Sequence, residues 1–69
     1  MKRQNLIAER KNRKMTQAQV AVELGITKSG YSNIENGWRD PSYSTICKLE
    51  ALFQKPHSYL LLTDGIRMK

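Results

Sequence analysis

Side chains that can donate or accept hydrogen bonds recur at helical spacing near the middle of the chain. Ser29, Ser32, Asn33 and Asn36 stand at i, i+3, i+4 and i+7, which places them along one side of a helix, and Lys28 precedes them. Lysine can donate to guanine O6 and N7, and asparagine can pair with adenine N6 and N7, so these side chains have the chemistry of base contact. A polar stripe is also typical of a helix face that meets only water, and the stripe by itself favours that simpler interpretation.

The overall charge favours an anionic partner, although charge alone is weak support. Twelve Lys and Arg residues against six Asp and Glu residues give a net charge of +6. No Ser/His/Asp, Cys/His or paired-carboxylate spacing suggests catalysis, and no Cys/His spacing fits zinc. We expect His57 at the surface and Cys47 as a small, half-buried residue. The sequence therefore predicts no enzyme activity, no metal, no cofactor and no small-molecule substrate.

The length of 69 residues predicts one domain over 1–69. No run of about 18 apolar residues could cross a membrane, and the basic N-terminus lacks the apolar stretch of a secretory signal. The single cysteine, Cys47, cannot form an internal disulfide. These features predict a cytoplasmic protein.

Apolar spacing close to 3.6 residues predicts an all-α fold, a compact bundle of five short helices. Thr16 and Gln19 have the spacing of a capping box, Gly25 can take the positive φ that ends a helix, and Thr27 can cap the next one. Asn36 and Gly37 form a stop signal. Four helices are expected at about Asn5–Lys14, Gln17–Leu24, 27–36 and Ser42–Phe53. A fifth short helix is expected to have Pro56 in its first turn and to carry Tyr59–Leu62, with Asp64-Gly65 ending it and residues 66–69 frayed.

The second and third helices have the composition of a helix-turn-helix. Two short helices that cross at about 90–120° through a tight turn need small and apolar residues where they meet. Ala21 is small at the expected crossing, and Gly25 allows the turn. The shared core is expected to contain Val20, Leu24, Ile26, Tyr31 and Ile34.

Across Leu6–Leu62, and most specifically across 15–37, the chain resembles the lambda-repressor-like (Cro/Xre) helix-turn-helix family of phage and bacterial transcriptional regulators. The resemblance implies a five-helix domain whose third helix lies in the major groove of DNA. It also implies that Gln17 contacts the DNA backbone and that Arg10 pairs with Glu35. Gly30 departs from the family pattern, because relatives usually carry a side chain at this position. An interior glycine costs a helix about 1 kcal/mol relative to alanine.

Within this framework we assign base contact to the outward residues near the start of the third helix, and phosphate contact to helix N-termini and the following loop. The base-contacting residues are Thr27, Lys28, Ser29, Ser32 and Asn33. The phosphate-binding residues are Thr16, Gln17, Asn36, Trp38, Arg39, Ser42, Tyr43 and Ser44. Two alternative roles stay open for Trp38: it could form a dimer contact, or it could cover the local core. Lys2 and Arg3 are expected in a solvated terminus rather than in an arm along the groove.

The favoured function is a transcriptional repressor in a bacterial or phage-infected cell, bound as a dimer to a palindromic operator with half-sites about 34–36 Å apart. Self-association in solution should be weak. The expected dimer contacts are Trp38, Pro41, Tyr59, Leu60 and Leu62. The alternative is a helix-turn-helix module that binds protein, such as an antitoxin or a modulator of another regulator. A membrane-surface peptide is disfavoured, because the helices interlock around a core.

Overall fold

The computed structural model describes residues 2–63, which form five α-helices and no strand. The helices are α1 (Gln4–Asn12), α2 (Gln17–Leu24), α3 (Lys28–Glu35), α4 (Tyr43–Phe53) and α5 (His57–Leu60). The all-α, five-helix prediction is confirmed, and α2 has the predicted bounds. Pro56 is the N-cap of α5 rather than a residue of its first turn. The predicted stop at Asp64-Gly65 and the fraying of 66–69 lie outside the described residues.

Local signals set the ends of α2 as the sequence predicts. The Thr16 hydroxyl accepts a hydrogen bond from the Gln19 backbone N–H at 3.1 Å, and the Thr16 N–H donates to Gln19 Oε1 at 2.8 Å. This reciprocal pair satisfies two amide groups that the first turn of a helix leaves without partners. At the other end Gly25 has φ +71°, and this left-handed conformation turns the chain towards α3.

One core holds the helices together, and α2 packs most extensively against α3. The two largest fully buried side chains of this core are Tyr31 and Phe53. Burial of such side chains is the main favourable contribution to folding in a chain of this size. The buried apolar residues are Leu6, Val20, Ala21, Leu24, Tyr31, Ile34, Leu49, Phe53 and Leu60.

The helix ends receive basic side chains from neighbouring elements. Arg13 donates from Nη2 to the Phe53 carbonyl at 2.7 Å, and Lys48 Nζ lies 3.4 Å from the Leu24 carbonyl oxygen. Cations are favourable at helix C-termini, where carbonyl groups lack intrahelical partners. Some of the net positive charge therefore stabilises the fold.

The structure corrects two predictions on the side chains of α4 and α5. Leu60, predicted as a dimer contact, is fully buried in the core because α5 packs on α1 and α4. It therefore has no surface to offer a second protomer. Cys47, predicted to be half-buried, is exposed, because Leu49 and Phe53 form the buried side of α4.

Two kinds of structure are absent among residues 2–63. None of the helices found there is long and apolar enough to cross a membrane. No group of three or more His, Cys, Asp or Glu side chains in that range is arranged to hold a metal ion.

Candidate nucleic-acid interface

The helix α3 has two faces, divided as the sequence predicts. Tyr31 and Ile34 are buried, whereas Lys28 and Ser29 are exposed. The helix begins at Thr27, whose hydroxyl accepts a hydrogen bond from the Gly30 N–H at 3.0 Å. The remaining two residues assigned to base contact, Ser32 and Asn33, are half-buried. The predicted base contacts stay predictions, and Thr27, Lys28 and Ser29 are the exposed residues among them.

The far end of α3 closes with a turn that directs the next residues into solvent. Gly37, at φ +77°, donates to the Ile34 carbonyl at 3.1 Å, and the Trp38 N–H donates to the Asn33 carbonyl at 3.0 Å. This pair of bonds is a Schellman motif and confirms the predicted stop. Trp38 emerges with 76% of its surface exposed, so the interpretation that it covers the local core is wrong. A large exposed aromatic beside α3 is available to a partner.

A buried polar network fixes α3 to α1 and α2. Arg10 Nε lies 2.6 Å from Glu35 Oε2, and Arg10 Nη2 lies 3.3 Å from Glu35 Oε1. The ion pair implied by the resemblance is therefore present. Gln17 Nε2 donates to Glu35 Oε1 at 2.9 Å, and Arg10 Nη1 donates to the Met15 carbonyl at 3.0 Å. The first residue of α2 is thus held against the last residue of α3.

The electrostatics of this network keep Glu35 ionised although it is buried. Burial opposes the charged form, but hydrogen bonds from Arg10 and Gln17 and the Arg10 charge together hold the pKa of Glu35 below its usual value. The hydrogen bond to Glu35 likewise raises the pKa of Arg10, against the effect of its partial burial. Burial raises the pKa of Tyr31, whose buried hydroxyl has no partner in hydrogen-bonding geometry.

A cavity of about 480 Å³ lies between α3, the following loop and the start of α4. Gly30 and the Arg39 side chain both line it. A Cβ atom at Gly30 would lie 3.8 Å from Arg39 Nη1 and 3.2 Å from the Thr27 hydroxyl. The Arg39 distance is an ordinary van der Waals contact, so the glycine relieves crowding only against the Thr27 hydroxyl that caps α3.

The start of α4 adjoins the same cavity. The Ser42 hydroxyl accepts from the Thr45 N–H at 3.3 Å and donates to Thr45 Oγ1 at 3.1 Å, so Ser42 caps α4. The next two residues, Tyr43 and Ser44, are exposed. Free N–H groups at a helix start attract phosphate.

The structure groups some of the residues assigned to phosphate contact and leaves others apart. Arg39 and Ser42 line one cavity with Thr27, and Gln17 reaches the end of α3 through Glu35. Asn36 is half-buried as the C-cap of α3. No hydrogen bond within residues 2–63 joins α3 to the remaining four, which are Thr16, Trp38, Tyr43 and Ser44, apart from the backbone bond at Trp38.

Sequence reasoning missed Arg3, which is buried and not part of a solvated terminus. Its Nη1 atom donates to the Ile34 carbonyl at 2.7 Å and to the Arg39 carbonyl at 2.8 Å. Its Nη2 atom lies 2.7 Å from Asp40 Oδ1, and its Nε atom donates to the Leu61 carbonyl at 3.1 Å. No local pattern marks this role, since every one of these partners is at least 31 residues away.

Comparisons with known proteins agree with this geometry. A family model described as helix-turn-helix matches residues 6–60. Three similar proteins come from Bacillus subtilis (strain 168). The uncharacterized HTH-type transcriptional regulator YqaE is 38% identical over 58 residues, 84% of this chain and 50% of that protein. The uncharacterized HTH-type transcriptional regulator RghRB is 41% identical over 63 residues, covering 90% and 45%.

The third relative, the HTH-type transcriptional regulator ImmR, is 37% identical over 54 residues, which cover 78% of this chain and 42% of that protein. The chain thus spans about half the length of the curated relatives it matches. No solved structure gives a significant match.

Proposed function

The chain belongs to the helix-turn-helix family of Cro/C1 type, and from this premise we propose that it is a sequence-specific regulator that binds double-stranded DNA. The observation that supports the proposal most directly is the division of α3. Its inner face is fixed by Tyr31, Ile34 and the Arg10–Glu35 pair, while Lys28 and Ser29 are exposed at its first turn. A recognition helix needs this combination, because its N-terminal residues meet base edges while its other face anchors it.

The positive charge near α3 supports contact with the DNA backbone in addition to contact with the bases. Arg39 lines a cavity with Ser42 at the start of α4, where helix N–H groups and the guanidinium together favour a phosphate. Gln17, at the start of α2, is held at the other end of α3 by Glu35. In the proposal these groups set the position of the domain on the duplex, and the outward residues of α3 set the preferred sequence.

Selection of bound sequences from a random duplex pool tests the proposal, because it reveals sequence preference, symmetry and half-site spacing together. Affinity for the selected site should fall steeply between about 50 and 200 mM salt. Lys28→Ala should relax the preference at one base position by about 1–3 kcal/mol. Arg39→Ala should weaken all sequences alike and make the salt dependence less steep.

Lys55→Ala is the matched control for these variants. Lys55 precedes α5, with its ammonium 5.9 Å from the centre of the Tyr59 ring. Its removal takes away the same charge as Lys28→Ala without touching α3. Equal losses for Lys28→Ala and Lys55→Ala would contradict base contact by Lys28, and an unchanged preference profile in Lys28→Ala would do the same.

The finer proposal is a repressor that occupies a palindromic operator as a dimer. With Leu60 buried, the remaining contact residues are Trp38, Pro41, Tyr59 and Leu62, of which Trp38 and Leu62 are 76% and 55% exposed. The small size of this apolar surface favours a dimer that forms on DNA rather than in solution. Sedimentation of the domain alone and with its selected site tests this, and one protomer per duplex would contradict it.

The second candidate function is a module that binds another protein. The exposed Trp38 favours it, because tryptophan is enriched among residues that dominate protein interfaces. Duplex binding at low salt separates the two functions. Absence of any binding at about 50 mM salt would overturn the DNA proposal and leave the protein module.

A further inference from the structure

Arg3 uses four of the five N–H donors of its guanidinium within the molecule, and three of these bonds lie next to the proposed interface. Besides the four side-chain contacts given above, its backbone N–H donates to the Glu35 carbonyl at 2.8 Å. The residue is 5% exposed, so its side chain cannot follow a DNA groove as a free arm. Its partners lie in the last turn of α3, in the loop after it and just beyond α5.

The bonds to Ile34 and Glu35 complete the last turn of α3. The carbonyl groups of a final helical turn lack intrahelical partners, and a positive charge there is favourable. An isolated helix of eight residues is unstable in water, and α3 contains an interior glycine. The guanidinium of Arg3 therefore stabilises the end of the helix from outside it.

The bonds to Arg39 and Asp40 hold the loop. Within residues 2–63, no other hydrogen bond reaches either residue, and the Asp40 side chain is otherwise 90% exposed. The bonds to Ile34 and Arg39 both come from Nη1, and the planar guanidinium fixes the directions of its N–H groups, so the two bonds together set the distance between helix and loop. The position of the Arg39 backbone relative to α3 thus depends on Arg3.

We propose that Arg3 is a positioning residue for the DNA-binding surface: it contacts no DNA and fixes the loop that places Arg39 beside the first turns of α3. This inference rests on the proposed function, in which Arg39 contacts phosphate.

The first test needs no DNA, because the only tryptophan of the chain, Trp38, lies in this loop. Time-resolved fluorescence anisotropy should show faster local rotation of Trp38 in Arg3→Ala than in the wild type. Arg13→Ala is the matched control, since Arg13 likewise donates to the carbonyl of a helix end, at Phe53, outside the loop. If Arg3→Ala does not fold, Asp40→Asn tests the bond between Arg3 and Asp40 by changing only an exposed side chain. Unchanged Trp38 rotation in Asp40→Asn and in every folded Arg3 variant would overturn the proposal.

The second test is a double-mutant cycle on DNA affinity, measured at a temperature at which circular dichroism shows every variant folded. Arg39→Ala should make the slope of log affinity against log salt smaller by about 0.9. Arg3→Ala should produce a similar change, and the double variant should bind no more weakly than Arg39→Ala alone. Arg13→Ala should leave affinity and slope unchanged. Arg3→Lys should restore little, because lysine keeps the charge and loses the fork.

Each contrary result points to a different failure. If Arg39→Ala weakens binding while folded Arg3→Ala does not, or if the two losses add, the positioning role is overturned and the proposed interface stands. Full restoration by Arg3→Lys would also overturn it, since charge alone would then suffice. If Arg39→Ala has no effect on binding, the proposed phosphate contact and the positioning role both fail. If no variant binds duplex and Trp38 rotation still rises in Arg3→Ala, the proposed function fails while control of the loop by Arg3 stands.

Discussion

The two ends of α3 are held in different ways. At its start, one local hydrogen bond joins the Thr27 hydroxyl to the Gly30 N–H, three residues along the chain. At its end, Arg3, Arg10 and Gln17 reach it from the segment before α1, from α1 and from α2 respectively. The end that lies farther from the predicted base contacts is therefore fixed by tertiary contacts, and the start depends on sequence-local chemistry.

This difference separates stability from recognition along one short helix. Substitutions at the end of α3 should change whether the domain folds, because buried polar groups there depend on one another. Substitutions at the start should change the free energy of unfolding little and DNA preference more. Substitutions at either end of α3 test this difference, and the buried Arg10–Glu35 pair should show the largest effect.

The largest expected effect is the loss of one member of the Arg10–Glu35 pair. Arg10→Ala leaves the Glu35 carboxylate, whose side chain is 3% exposed, without its counter-charge, and such a loss costs about 3–5 kcal/mol. That is much of the stability of a small domain. Urea unfolding followed by circular dichroism measures it.

The exposed pair of Glu50 and His57, 2.8 Å apart, supplies the control. Glu50→Ala removes a hydrogen-bond partner of His57 that is already in contact with water, so its cost should be far smaller. A double replacement of Arg10 and Glu35 by apolar residues should recover part of the loss, because neither charge is then buried alone. Equal costs for Arg10→Ala and Glu50→Ala would show that the end of α3 is not specially anchored.

Acid should weaken the same end of α3. The pKa of Glu35 is lower in the folded protein than its usual 4.5, so the unfolded chain binds more protons as pH falls. The stabilisation that ionised Glu35 contributes is complete above about pH 4.5, and it is lost as pH falls through the pKa of Glu35 in the folded protein. Urea midpoints measured from pH 6 to pH 3 should therefore decline, and less so in Glu35→Gln. Parallel declines in the two proteins would contradict this assignment; Glu50→Gln controls for Glu50, whose pKa His57 also lowers.

The same division explains what the sequence could predict. Thr16 with Gln19, Gly25 and Thr27 act within a few residues of themselves, so their spacing alone predicts the ends of α2 and the start of α3. The inward positions of Tyr31 and Ile34 follow from helical period in the same way.

The tertiary contacts had no comparable signal. Arg3 binds the Leu61 carbonyl 58 positions away, and nothing beside it in the chain indicates a buried role. Leu60 and Trp38 are both large and apolar, yet one fills the core and the other is 76% exposed. Composition and period do not decide between these outcomes, because they depend on how α5 and the loop pack on the other helices. The family resemblance predicted Arg10 with Glu35, whereas spacing did not.

A moderate effect is expected at the start of α3, from loss of its cap. Thr27→Ala removes the acceptor of the Gly30 N–H and should lower the free energy of unfolding by about 1 kcal/mol. Thr27→Ser keeps the hydroxyl and should lose much less. Urea unfolding without DNA measures stability apart from any base contact. A loss in Thr27→Ser as large as in Thr27→Ala would show that the methyl group, rather than the hydrogen bond, stabilises this end.

The smallest expected effect is at Gly30, where two opposing contributions meet. Alanine should favour the helix by about 1 kcal/mol, but its Cβ would lie 3.2 Å from the Thr27 hydroxyl, which the capping bond holds in place. We therefore expect Gly30→Ala to change the free energy of unfolding by less than about 0.5 kcal/mol. In a Thr27→Ala background the close contact is gone, so the same substitution should recover most of the helical gain. Gly30→Ala should therefore raise the free energy of unfolding more in the Thr27→Ala background than in the wild type. An equal effect in both backgrounds would mean that the cap and the glycine act independently.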